Sequence, residues 1–112
     1  TAYESMLRLL SLPVPPDAVL AFNDIISFAV MEAIKSRGLK IPQDVALIGF
    51  TDERHAEFVT PKLSAIMDQA HETGMRACQL LLNNINGDKT IHKEIVPMIL
   101  KIRESSSKIS KY

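Results

Sequence analysis

With 46% hydrophobic and 23% charged residues among its 112, the sequence has the make-up of an ordinary folded domain able to bury a core. Thirteen basic residues balance thirteen acidic ones, so no net charge draws the segment towards DNA or an acidic membrane. The single cysteine, Cys78, excludes an internal disulfide, and no apolar stretch approaches the roughly 20 residues needed to cross a bilayer, a combination that fits the cytoplasm. The chain opens on Thr1, directly in helical sequence and without a charged-then-apolar leader, and is read as part of a longer protein.

In chain order, residues 2–12 place Met6, Leu7, Leu9 and Leu10 at helical spacing, and Pro13, Pro15 and Pro16 stop that helix. Residues 18–22 form a wholly apolar run between Asp17 and Asn23-Asp24, which predicts a strand buried on both faces. A helix follows, with Asn23 or Asp24 as its N-cap and Arg37-Gly38 at its end. Ile41-Pro42-Gln43-Asp44 turns the chain into a second buried strand over residues 45–50. Strand, helix and strand with short connections predict a right-handed parallel crossover, so the fold class is α/β, a parallel sheet flanked by helices.

Residues 51–59 read as a polar stretch in which Glu53, Arg54 and Glu57 make a solvated, charged loop. A brief strand over residues 63–67 precedes a long helix capped by Asp68. Its Ala70, Gly74, Met75, Ala77, Cys78, Leu81, Leu82 and Ile85 share one face, which makes Cys78 a small core residue. Asn86-Gly87-Asp88 closes the helix. The remainder predicts strand: Ile91, Lys93 and Ile95 alternate, Pro97 interrupts, and Met98, Leu100 and Ile102 alternate again before a polar tail over residues 105–112.

In open α/β sheets ligands lie beyond the carboxyl ends of the strands. Asn23-Asp24 follows the first strand and Thr51-Asp52-Glu53 the second, and parallel strands bring both clusters to one edge. An amide beside a hydroxyl and a carboxylate suits a sugar or nucleoside, whose hydroxyls each want a donor and an acceptor. The same residues serve equally well as a helix cap, at Asn23 or Asp24, and as a solvated turn, at Thr51-Asp52. On the helix between the strands, Ile25, Ile26, Ala29, Val30, Ala33 and Ile34 fill about half the wheel, but Phe28 falls on the polar side between Glu32 and Lys35. With Met31 beside it, Phe28 points either to a second burial surface, since burying an aromatic ring contributes about 1.5–3 kcal/mol, or to a lone exposed aromatic. His55, His71 and His92 show no metal-ligand spacing, and no nucleophile-and-base pair or phosphate-cradling loop occurs, so neither metal, cofactor nor catalysis is expected.

Four segments resemble the LacI/GalR family in register: Pro16-Asp17-Ala18-Val19-Leu20-Ala21-Phe22-Asn23-Asp24; Gly38-Leu39-Lys40-Ile41-Pro42-Gln43-Asp44-Val45-Ala46-Leu47-Ile48-Gly49-Phe50; Thr60-Pro61 with Leu63-Ser64-Ala65-Ile66; and Leu100-Lys101-Ile102-Arg103-Glu104-Ser105. The resemblance implies a partial periplasmic-binding-protein-like type I lobe: residues 1–112 as the C-terminal portion of an effector-binding and dimerisation domain, without the DNA-binding head and most of the N-terminal lobe. It implies a sugar or nucleoside effector held by Asn23, Thr51 and Asp52, with Asp24 capping the helix or supporting the site from behind. The family commonly has Asp where Thr51 stands, so either Asp52 reaches in instead or the effector differs from the family's common choices, which leaves its identity open. It further implies a homodimer through Phe28, Met31, Phe58 and Val59, operator DNA bound only through the outlying head, and no membrane partner. A lobe of an exported sugar-binding protein shares this architecture without needing Phe28, and an enzyme on a doubly wound sheet would need a catalytic constellation elsewhere. Strands expected before Thr1 would otherwise leave a sheet edge unpaired, so residues 1–112 in isolation are expected to associate abnormally.

Overall fold

A computed structural model describes residues 1–108 of the chain. The elements are α1 (Ala2–Leu10), β1 (Ala18–Ala21), α2 (Asp24–Ser36), β2 (Ala46–Phe50), α3 (Glu53–Phe58), β3 (Ser64–Met67), α4 (Ala70–Ile85) and β4 (Ile99–Lys101). Two compact units divide them, residues 1–67 with the C-terminal segment from Leu100 in one, and residues 68–99 in the other.

In the first unit the strands lie in the order β1-β2-β3-β4, with β1 parallel to β2 and β2 parallel to β3. The predicted parallel unit is therefore present. Ala18 pairs with Ala46 and Ala21 with Gly49, while Ile48 faces Ser64 and Phe50 faces Ile66. Helix α1 starts with a capping box, Glu4 N–H donating to Thr1 Oγ1 at 3.3 Å while the Thr1 backbone nitrogen donates to Glu4 Oε2 at 2.9 Å. It ends at Leu10, ahead of the first proline. Met6 of α1, Val30, Met31 and Ile34 of α2, and Leu47 and Leu63 form the core on one side of the sheet.

Two expectations for this unit are corrected. β1 is not buried on both faces: Ala21 is enclosed but Leu20 is 63% exposed, because β1 is an edge strand whose other face has no cover among the described residues. That face of the sheet is an open apolar hollow of about 590 Å³ bordered by Val19, Leu20, Ile48, Ile66 and Leu100. The stretch after Phe50 is not merely a charged loop, since α3 runs through it. Asp52 caps α3 by accepting the His55 N–H at 2.8 Å, and Ala56 is fully buried as its one apolar anchor. A single alanine among polar residues gives no periodicity to read.

The C-terminal segment after β4 is not strand from Ile102 onwards. It forms a buried polar clasp on β2 and β3. Leu47 N–H donates to the Ser105 carbonyl at 2.8 Å, Ser105 Oγ donates to the Leu47 carbonyl at 2.6 Å, and Ser64 N–H donates to Ser105 Oγ at 2.8 Å. Arg103 N–H donates to Ser64 Oγ at 2.7 Å, and the guanidinium of Arg103, itself buried, donates to the Leu63 carbonyl at 3.0 Å and to Glu57 Oε1 at 2.8 Å.

In the second unit α4 begins at Ala70, so the helix starts after Gln69 rather than at an Asp68 cap, and no side chain caps it. No residue of α4 is buried among the described residues, and Cys78 is exposed, contrary to its expected place in a core. In the segment after α4, Ile91, Ile95, Met98 and Ile99 are exposed. Its ties to the helix are polar, Gln69 Nε2 donating to the Pro97 carbonyl at 2.7 Å and Arg76 bridging Glu72 and Glu94 at 2.6 and 3.5 Å. The expected strand at Ile91, Lys93 and Ile95 does not form.

Removing the Ser105 hydroxyl strands both the Leu47 carbonyl and the Ser64 N–H inside the protein, so Ser105→Ala should lower stability by about 1–3 kcal/mol, read from the urea midpoint at unchanged slope. The clasp also predicts a pH dependence. The Arg103 guanidinium, then Lys62, hold the Glu57 carboxyl below its ordinary 4.5. A depressed folded-state value means this stabilisation is complete above 4.5 and is lost as pH falls through the folded-state value. In acid titrations of stability, Glu57→Gln should flatten the slope below that pH.

Candidate functional site

The carboxyl ends of β1 and β2 define the site. Because Ala21 pairs with Gly49, the chain leaves the sheet at Asn23 and Thr51 in matching register on neighbouring strands. The aromatic rings just before them, Phe22 and Phe50, lie 5.7 Å apart at a 41° tilt and make an apolar border to this edge.

Asn23 has extended backbone and caps α2, its Oδ1 accepting the Ile26 N–H at 2.8 Å. Of the two candidate caps, then, Asn23 takes the position. Asp24 is the first helical residue, with Oδ1 accepting the Ile25 N–H at 2.8 Å. The Asn23 carbonyl accepts from both the N–H and the Oγ of Ser27, at 2.9 and 2.6 Å. This leaves the carboxamide nitrogen as the group Asn23 can offer a ligand.

Thr51 is only 8% exposed. Its N–H donates to the Ile66 carbonyl at 3.3 Å, while its hydroxyl has no hydrogen-bond partner among the described residues. Asp52 is exposed and engaged with its own helix: Oδ1 is the α3 cap, and Oδ2 lies 3.1 Å from His55 Nδ1. The His55 backbone N–H is the main cause holding the Asp52 carboxyl below the usual range, with the charges of His55 and Arg54 adding to it. The three residues predicted for a ligand are thus brought to one edge in three different states, a cap with a spare amide, a buried unpaired hydroxyl and a carboxylate serving its own helix.

Sequence reasoning missed two residues that build this edge, Gly49 and Ser27, and one that stands beside it, His55. Gly49 lets α2 approach β2, since a Cβ there would collide with Ser27 Oγ and lie 3.1 Å from Leu63. A glycine inside an apolar strand was the available signal. Ser27, fully buried on α2, ties the helix back to Asn23. His55 lies 3.9 Å from Asp24 Oδ2 as well as beside Asp52, and its ring meets Phe28 edge-on at 6.2 Å between centroids. Nothing in the spacing of three scattered histidines pointed to it.

Beside the edge, Phe28, Met31, Glu32, Lys35, Val59 and Thr60 line a groove of about 540 Å³. Three of the four residues predicted for a second burial surface, Phe28, Met31 and Val59, therefore share one concavity. Met31 is 4% exposed and belongs to the core, so it can only floor the groove. Phe58 does not line it and stands 81% exposed at the end of α3. Lys35 Nζ donates to the Thr60 carbonyl across the groove wall. Among the described residues no group of three His, Cys, Asp or Glu side chains could hold a metal ion, and no helix is long and apolar enough to cross a membrane.

The model of the periplasmic binding protein-like domain matches residues 1–106. The probable HTH-type transcriptional repressor ExuR of Bacillus subtilis is 34% identical over 96 residues, 86% of this chain and 29% of that protein. The lactose operon repressor of Rhizobium radiobacter is 36% identical over 110 residues, 98% of this chain and 97% of that sequence. Among solved structures, a LacI family transcriptional regulator from Arthrobacter sp. FB24 in complex with lactose superposes with a TM-score of 0.83 at 29% identity, covering 95% of this chain and 40% of that one. The chain thus spans under a third of the ExuR relative.

The Gly49 contact gives a direct test of how the edge is built. Gly49→Ala should push α2 from β2 at Ser27 and lower stability by about 1–3 kcal/mol, measured by thermal or urea unfolding. Pairing it with Ser27→Ala should recover part of that loss.

Proposed function

This chain belongs to the periplasmic binding protein-like domain family, among the LacI-type repressors, and on that premise we propose that it is the C-terminal part of an effector-binding and dimerisation domain of a transcriptional regulator. The effector is a sugar or nucleoside, received at the edge where Asn23 and Thr51 leave the sheet, with Asp52 at its rim. Contact with operator DNA belongs to a helix-turn-helix head outside these residues, which carry no net charge to bind it. The protein works in the cytoplasm as a homodimer and catalyses no reaction.

One observation carries this reading: a buried, unpaired Thr51 hydroxyl stands in register with the Asn23 amide at the carboxyl edge of a parallel sheet. An unmet hydrogen bond in that position costs about 1–3 kcal/mol, which a ligand hydroxyl would offset. The lactose complex of the Arthrobacter relative supports a sugar as the ligand class. The groove at Phe28 and Val59 supports the homodimer, because it is apolar at its floor and rimmed by Glu32 and Lys35, which can pair across a twofold axis.

The test uses the full-length protein. Calorimetric titration with ribose, lactose, glucuronate and adenosine should find binding by at least one, and Asn23→Ala should weaken it by about tenfold or more, the loss of one good hydrogen bond. Phe28→Glu should convert a dimer to a monomer in sedimentation. A protein that is monomeric before substitution, or that binds none of the four probes, would overturn the corresponding half of the reading.

A further inference from the structure

His55 sits where three features meet. Its Nδ1 is 3.1 Å from Asp52 Oδ2 and 3.9 Å from Asp24 Oδ2, and its ring packs edge-on against Phe28. Asp52 follows Thr51 and Asp24 follows Asn23, so the imidazole reaches a direct neighbour of each residue at the sheet edge. Phe28 lines the groove. From this geometry we infer that His55 is a positioning residue that couples the sheet edge to the groove, so that a ligand bound at one alters association at the other. The inference rests on the two surfaces having the roles proposed above.

Helix α3 gives the coupling a rigid body. Its first turn is fixed by the Asp52 cap, its middle by Ala56, which is fully buried, and its far side by the Glu57 carboxylate on the buried Arg103. The residues that follow it, Val59 and Thr60, line the groove, and Lys35 of α2 holds the Thr60 carbonyl. Motion of the strand end at Thr51 is therefore delivered to the groove at the end of a short helix. The link from α2 runs through side chains. One imidazole nitrogen faces two carboxylates but is within hydrogen-bond range of only one, Asp52. A ligand that draws Asn23 and Thr51 together changes which carboxylate the nitrogen meets, and the ring must tilt against Phe28 to follow. On this inference Asp24, 3.9 Å from the nitrogen, is the alternative partner that gives the element the second arrangement coupling requires.

The side chain of His55 is 51% exposed, so its replacement leaves the core intact and an effect on coupling can be read apart from folding. In the full-length protein, the dimer dissociation constant is measured by sedimentation with and without a saturating amount of whichever of ribose, lactose, glucuronate or adenosine binds. The unaltered protein should show a change of about fivefold or more, the low end for coupled sites. His55→Ala should still bind the probe and still dimerise, but the probe should no longer change the dimer constant. His55→Asn places an amide donor where Nδ1 stood without a ring to press on Phe28, and should behave as His55→Ala does. A probe-induced change in His55→Ala equal to that of the unaltered protein overturns the inference and leaves the proposed function standing. Absence of probe binding or of a dimer before any substitution overturns both.

Discussion

Buried serine hydroxyls hold the sheet together at the end where β2 and β3 begin. The β2–β3 register starts at Ile48 and Ser64, so the Leu47 N–H and carbonyl and the Ser64 N–H lie where no ladder serves them. All three are taken by Ser105, and Ser64 Oγ in turn receives the Arg103 N–H. Unpaired backbone groups in such a place would be costly, and here a residue 41 positions beyond Ser64 and 58 beyond Leu47 supplies their partners. The clasp fixes the start of β2, hence where β2 ends, hence the position of Thr51. It also reaches α3 through the Arg103–Glu57 ion pair. An ion pair with its arginine buried contributes little net stability by itself, but it makes a specific arrangement expensive to leave.

At the opposite end of the same strands, the geometry of the site depends on close approach. Gly49 admits Ser27, Ser27 binds the Asn23 carbonyl, and Asn23 closes the first turn of α2. Any side chain larger than glycine would lift the helix start from the sheet and with it the amide at the site. Fixed strand starts and a close-packed helix start thus frame the edge from both sides, leaving little freedom to the residues between them.

Much of this was legible in the sequence, for reasons that differ by element. Runs such as Ala46–Phe50, bounded by turn residues, announce a strand because a parallel ladder meant to be covered on both faces demands apolar residues throughout, although among the described residues helices cover only one face here. The helix between the strands announces itself by caps and by periodicity, and Phe28 stands out because it breaks that periodicity. Hydrogen bonds between distant segments leave no such trace. The alternation at Leu100 and Ile102 reads as strand, yet Arg103 and Ser105 satisfy groups on β2 and β3 rather than extending a ladder, and only the resemblance to Arg-x-Ser marked them. α3 was hidden because a helix held by a cap, one alanine and one ion pair has no apolar stripe. For α4 the pattern was clear and the burial inferred from it was not, since amphipathicity shows that a helix has an apolar face without showing what covers it.

The capping roles at the edge also constrain how it can recognise a ligand. Asn23 Oδ1 and Asp52 Oδ1 each accept a helix N–H, and giving up such a cap costs about 0.5–2 kcal/mol. A ligand that drew those oxygens away would lose most of what a new hydrogen bond contributes, which is about 0.5–1.5 kcal/mol. Recognition on the proposed reading therefore falls chiefly to the Asn23 carboxamide N–H, which only donates, and the Thr51 hydroxyl, which does both, since Asp52 Oδ2 at the rim is turned to His55. A carboxylate in place of Thr51 would accept two hydroxyls at once, and the threonine cannot. Selection at this edge thus favours a ligand that presents an acceptor to Asn23 next to a single hydroxyl at Thr51, a requirement narrower than a general affinity for vicinal diols.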